Sequence, residues 1–203
     1  MKDNRAAFCE LLRSTNREGV DYVIEELDEL GFFTAPASAT HHLNKEGGLV
    51  EHSLNVCNAA MAVREVMVRM DDSLREALPH ESVIIAALLH DVCKADIYRP
   101  SLKKCKNSFG MWEDVPGYNV RYDSFPLGHG EKSVIMLLRC GLDMTDDEIM
   151  AIRWHMNAWD LSFQSPDAKG NYNAAKSQCP LITLIQAADG LSAGILESEQ
   201  DTL

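Results

Sequence analysis

Val83-Ile84-Ile85-Ala86-Ala87-Leu88-Leu89-His90-Asp91-Val92-Cys93-Lys94 is the stretch whose reading decides the fold. The unbroken apolar run predicts a helix buried on all sides, within a helical stretch from about Ser82 to Ala95. An imidazole and a carboxylate follow it directly. Burying both is costly unless something satisfies them, and a divalent metal does so. Working outward, His52, His129, His155 and Asp189 are metal-competent groups inside or beside other apolar stretches. Imidazole and carboxylate together suit zinc, iron, manganese and nickel, whereas calcium wants more oxygens.

The rest of the chain reads as helical. Phe8, Leu11 and Leu12, then Val20, Val23, Ile24, Leu27 and Leu30, recur at helical spacing over the N-terminal residues 1–31. Gly47-Gly48 open a helix from about Leu49 to Met70. Thr145-Asp146-Asp147-Glu148 is a capping box that starts the helix carrying His155. Pro180 suits the first turn of a last helix through Leu191. Residues 98–127 break the pattern with prolines and glycines between aromatic runs, which predicts a small β-hairpin insertion whose aromatics pack within it. Residues 157–179 read as a polar loop, and residues 197–203 as an acidic, frayed end. The expectation is one all-α domain over residues 1–203. The amphipathic face of Phe8 to Leu30 suits either the core or a second subunit, so a homodimer is also expected.

Composition narrows the function. The formal net charge is −12, which repels long polyanions and argues against DNA or RNA as partner. A small phosphorylated substrate remains compatible, because a metal site supplies its own positive charge. No apolar stretch has the length of a bilayer span and the N-terminus lacks a signal-peptide core, so no membrane association and a cytoplasmic location are expected. The six cysteines are scattered without a C-x-x-C pair, which excludes a zinc knuckle or thioredoxin-like motif. Cys57 and Cys140 read as core residues, and Cys93 points away from the face of Asp91.

Lys94 follows His90 by four residues, on the same helix face, where its ammonium can meet a phosphate as a point charge. Arg121, Arg153 and the run Lys103, Lys104 and Lys106 are further cations, the run suiting a solvated surface best. His41, His42 and His80 read as ordinary histidines, with His41 and His42 at a pocket mouth. Each of the other histidines also suits a satisfied core role, and Asp189 a local cap.

Gly47-Gly48-Leu49-Val50-Glu51-His52-Ser53, Ala87-Leu88-Leu89-His90-Asp91-Val92-Cys93-Lys94 and Ala187-Ala188-Asp189, in that order, resemble the HD superfamily of metal-dependent phosphohydrolases. Gly128-His129-Gly130-Glu131-Lys132-Ser133 and Arg153-Trp154-His155-Met156 resemble subfamilies with two extra histidines, and the whole is most similar to the HD domain of bacterial 3′–5′ exoribonucleases and HD phosphodiesterases. The resemblance implies an HD-domain helical bundle holding one or two divalent metals: manganese, iron, nickel, cobalt, magnesium or zinc. It implies that His52, His90, Asp91 and Asp189 hold the first metal, and that His129 and His155 hold a second with Asp91 bridging. Lys94 then touches phosphate, and Asp91 also orients the attacking water. The implied reaction is hydrolysis of a phosphate ester of a nucleotide or small phosphodiester by metal-activated water. With only a short stretch before the first motif, no nucleic-acid-binding domain like the exoribonuclease's is expected, and the expected substrate is again small. The same ligand set also serves di-iron oxygenases, and the fold also serves as a non-catalytic nucleotide- or metal-sensing module.

Overall fold

The computed structural model describes residues 3–122, 125–156 and 165–198. Its centre is the apolar run. Helix α5, His80–Leu89, is buried at every position from Ser82 to Leu89, as a helix without a polar face must be. Around it pack α1 (Asn4–Ser14), α3 (Gly48–Met70), α7 (Asp146–Trp154) and α9 (Pro180–Leu191), with α6 (His129–Arg139) leaning on α7. Helix α2 (Val20–Glu29) lies against α1, and the short α4 (Leu74–Ala77) connects α3 to α5. The apolar face of the N-terminal helices is spent on this core: Phe8, Leu12, Val23 and Leu27 are buried in it. The expected all-α bundle is therefore observed.

The helix expected to run to Ala95 does not. It stops at Leu89, Asp91 takes φ −113° and ψ 17°, and a 3₁₀ turn covers Val92–Asp96. In a continuous helix His90 and Asp91 would point about 100° apart. The break lets both face one point. It also changes the partner of Lys94. Side chains three apart eclipse in a 3₁₀ turn, so Lys94 stands over Asp91 rather than over His90.

The insertion is an antiparallel hairpin of β1 (Tyr98–Lys106) and β2 (Trp112–Val120), in register from Tyr98 opposite Val120 to Lys106 opposite Trp112. Lys103 Nζ donates to Ala39 O at 2.7 Å and ties the hairpin to the loop before α3. Its aromatics do not pack into the structure as expected. Phe109 is 85% exposed and Trp112 65%, because two strands alone have no second layer to cover them.

Two other expectations are corrected. Most of the stretch read as a polar loop is helix α8, Pro166–Gln178, capped by Ser165 Oγ accepting from Ala168 N at 3.3 Å. Ser165-Pro166-Asp167 is a helix-start signature that the polar composition obscures. Residues 157–164 of that stretch lie outside the described residues. At the other end, Glu197 is not frayed but buried, following a π-helical segment, Ser192–Leu196, that continues α9; residues 199–203 of the expected frayed end lie outside the described residues. Among the described residues no single helix is long and apolar enough to cross a membrane.

Candidate metal centre

Four elements deliver side chains to one place beside the end of α5. His52 comes from the second turn of α3, His90 and Asp91 from the break after α5, His155 from the C-terminal end of α7, and Asp189 from the last turns of α9. Two close backbone approaches make this possible. A Cβ on Gly48 would run into Leu43 O, so only glycine lets the preceding loop lie on the start of α3. A Cβ on Gly130 would meet Ile152 O and Arg153 O, so α6 presses directly on the end of α7 that presents His155.

Asp91 is the centre of the cluster. Its Oδ2 lies 2.6 Å from Lys94 Nζ, 3.3 Å from His90 Nε2 and 3.8 Å from His52 Nε2, and its Oδ1 lies 3.4 Å from His155 Nε2. His52 Nε2 is also 3.3 Å from Asp189 Oδ1. The ring centroids of His52 and His90 are 5.3 Å apart, and those of His90 and His155 are 4.9 Å apart. His52, His90, Asp91 and His155 are all at most 3% exposed, and Asp189 is the more open member, its side chain 24% exposed.

The donor atoms are aimed and unspent. His90 Nδ1 donates to Ala87 O at 2.8 Å and His155 Nδ1 to Ile152 O at 2.7 Å. These bonds put the lone pair of each ring on Nε2 and fix its direction, as metal-ligating histidines require. The Nε2 atoms of His52, His90 and His155 and Oδ1 of Asp91 are buried without a hydrogen-bond partner. Buried polar atoms left in this way cost free energy singly. Three Nε2 atoms gathered on one buried carboxylate fit a cation. The donor groups close enough to share one ion are His52, His90 and Asp91, and separately His42, His52 and Glu197, among the described residues.

The charges are mutually adjusted. Burial alone would raise the Asp91 pKa, but Lys94, His90 and His155 hold it well below the usual carboxylate range. Burial alone would lower His52, yet the facing carboxylates of Asp189 and Glu197 raise it to about 9. Asp189, despite burial, is lowered to about 2 by His52. Burial opposes the charge on Lys94, and Asp91 outweighs it and raises its pKa.

Residues 49–194 match the family of the HD domain. The chain belongs to the HD-domain family. No curated protein and no solved structure matches it. HD domains are metal-dependent and generally hydrolase-like, and the donor chemistry here fits a divalent ion.

His52, His90, Asp91, His155 and Asp189 come together. His129 is the first residue of α6, half-buried in a small pocket with Cys93, Ile97 and Tyr122, and belongs to neither close donor group. Arg153 reaches Glu131 at 2.7 Å and stacks over Trp154. Cys93, whose thiol is pushed up to about 12 by burial, is likewise in neither donor group. Sequence reasoning placed His42 at a pocket mouth but not beside the donors, and it missed Glu197. His42 lies with its ring centroid 5.0 Å from that of His52, and with His41 and Glu197 it lines a cleft of about 670 Å³. No spacing signals His42. For Glu197 a signal exists in its distance from Asp189, but it is legible only once the helix geometry between them is known.

Proposed function

We propose that this HD domain is a metal-dependent phosphohydrolase acting on a small phosphate ester, a nucleotide or small phosphodiester. The observation that carries the reading is the convergence of three unspent Nε2 atoms on Asp91, with the ammonium of Lys94 at its rim. His52, His90, Asp91 and Asp189 would hold the ion. His155, on the other carboxylate oxygen of Asp91, would hold the same ion or a second one. A divalent ion bound there lowers the pKa of its water and polarises a phosphoryl oxygen.

The protein's own groups do the rest. Asp91, held through Oδ2 by Lys94, keeps Oδ1 without a hydrogen-bond partner and can accept a hydrogen bond from the attacking water. Lys94 is 11% exposed, enough to donate to a phosphoryl oxygen as negative charge grows there. Asp189 stands at the open side. The rings of His90 and His155 are held by backbone carbonyls, so they need no rearrangement to bind. The net charge of −12 favours a small substrate over a polynucleotide.

The test is reconstitution of metal-stripped protein with manganese, nickel, cobalt, magnesium, zinc or iron, followed by a panel of nucleotides and small phosphomono- and phosphodiesters. Release of phosphate or cleaved ester, lost together with bound metal in Asp91→Ala, is the expected result. Full turnover by Asp91→Ala, or no hydrolysis of any ester with any metal, overturns the reading. Iron-dependent oxygen consumption would replace it with oxygenase chemistry.

A further inference from the structure

Glu197 lies outside the residues that match the HD domain, beyond the π-helical segment Ser192–Leu196. Its backbone N–H closes a wide turn onto Ser192 O at 2.9 Å. At about 100° per residue, eight residues of α-helix would carry Glu197 about 80° around the axis from Asp189. Seven would leave it about 20° away. The π turn absorbs one residue, so Glu197 takes the seven-residue position, two turns on and on the face of Asp189. The two carboxylates thereby reach the two nitrogens of one imidazole. Asp189 Oδ1 is 3.3 Å from His52 Nε2, and Glu197 Oε2 is 2.9 Å from His52 Nδ1.

The contact is built rather than incidental. The Glu197 side chain is 1% exposed, and a buried carboxylate is costly without partners. Asn55, three residues after His52 on α3, donates from Nδ2 to Glu197 Oε1 at 2.9 Å. Oε1 is itself 3.1 Å from His52 Nδ1, so both oxygens face the ring. Among the described histidines of the centre, His90 and His155 are tethered to backbone carbonyls of their own helices. His52 is tethered to a side chain from another element, delivered by a helical irregularity.

We infer that Glu197 is a positioning residue of the metal centre: accepting from His52 Nδ1, it fixes the ring so that Nε2 presents its lone pair to the ion. The inference rests on the metal reading of the site. A carboxylate in this place holds the tautomer and strengthens the ring as a ligand, and losing such a partner typically weakens metal binding about 10–100-fold. Glutamine keeps an oxygen that accepts from Nδ1–H but gives up the charge.

The experiment is calorimetric titration of Mn²⁺ into the full chain, stripped with chelator, as wild type, Glu197→Ala and Glu197→Gln. Circular dichroism checks that each is folded. The expected result is a Kd weakened about 10–100-fold in Glu197→Ala and about 3–10-fold in Glu197→Gln. A role confined to packing would not separate the two in that order. Wild-type affinity in folded Glu197→Ala overturns the inference and leaves the metal centre standing. Absence of Mn²⁺ binding in the wild type overturns the metal centre itself. Should the alanine variant not fold, Glu197→Gln decides, and an unchanged Kd there overturns the inference.

Discussion

Lys94→Met tests how the centre balances its charge. The substitution keeps the length of the side chain and deletes its ammonium, which lies 2.6 Å from Asp91 Oδ2. The carboxylate is 2% exposed and cannot recover its lost partner from water. Removing one member of a buried pair costs about 3–5 kcal/mol. Here His90 and His155, at 3.3 and 3.4 Å, share the same carboxylate, which brings the expected cost to about 2–3 kcal/mol. For a chain of this size that is about 4–12 °C in Tm. A divalent ion on Asp91 supplies the missing positive charge, so in saturating Mn²⁺ the penalty shrinks to under about 1 kcal/mol. The assay is thermal unfolding of both proteins in chelator and in Mn²⁺. No penalty in chelator would refute the charge pairing. An equal penalty with and without Mn²⁺ would refute the placement of the ion on Asp91.

Three more outcomes follow from the same geometry. His155→Ala is expected to weaken Mn²⁺ binding about tenfold or more and His129→Ala much less; equal losses, read by metal analysis after dialysis, would bring His129 into the centre. In metal-free protein the raised pKa of His52 stabilises fully below pH 6.5 and is lost as pH rises through about 9, while the lowered Asp189 stabilises above pH 3.8 and is lost as pH falls through about 2. Urea unfolding in chelator is therefore expected to find greatest stability between about pH 4 and 6.5 and a loss on the order of 3 kcal/mol by pH 9 and above; stability flat or rising over that range would contradict the assignment. Gly130→Ala places a Cβ on Ile152 O and Arg153 O, and is expected to cost about 1–3 kcal/mol, seen as a lower melting temperature together with weaker metal binding through displaced His155.

Much of this was legible in local pattern. The helix bearing His52 starts within one residue of its expected place. The Thr145 capping box forms both of its bonds. The apolar run before His90 is buried on every side. What failed did so for physical reasons. Ser165-Pro166-Asp167 signals a helix start, but the polar residues after it carry no apolar face to confirm one. The hairpin aromatics suggested packing because sequence shows their apolar character and not the absence of a covering layer.

By itself the sequence determined the helices, the kinds of donor and the pairing of a buried helix end with His90 and Asp91, because helical periodicity and burial cost act over a few residues. Which donor atoms meet was decided only by the tertiary structure. The break after Leu89 moves Lys94 from His90 to Asp91, and the π turn carries Glu197 round to His52. A centre assembled from α3, α5, α7 and α9 depends on how those helices pack, and contacts across a hundred residues leave no periodic trace along the chain.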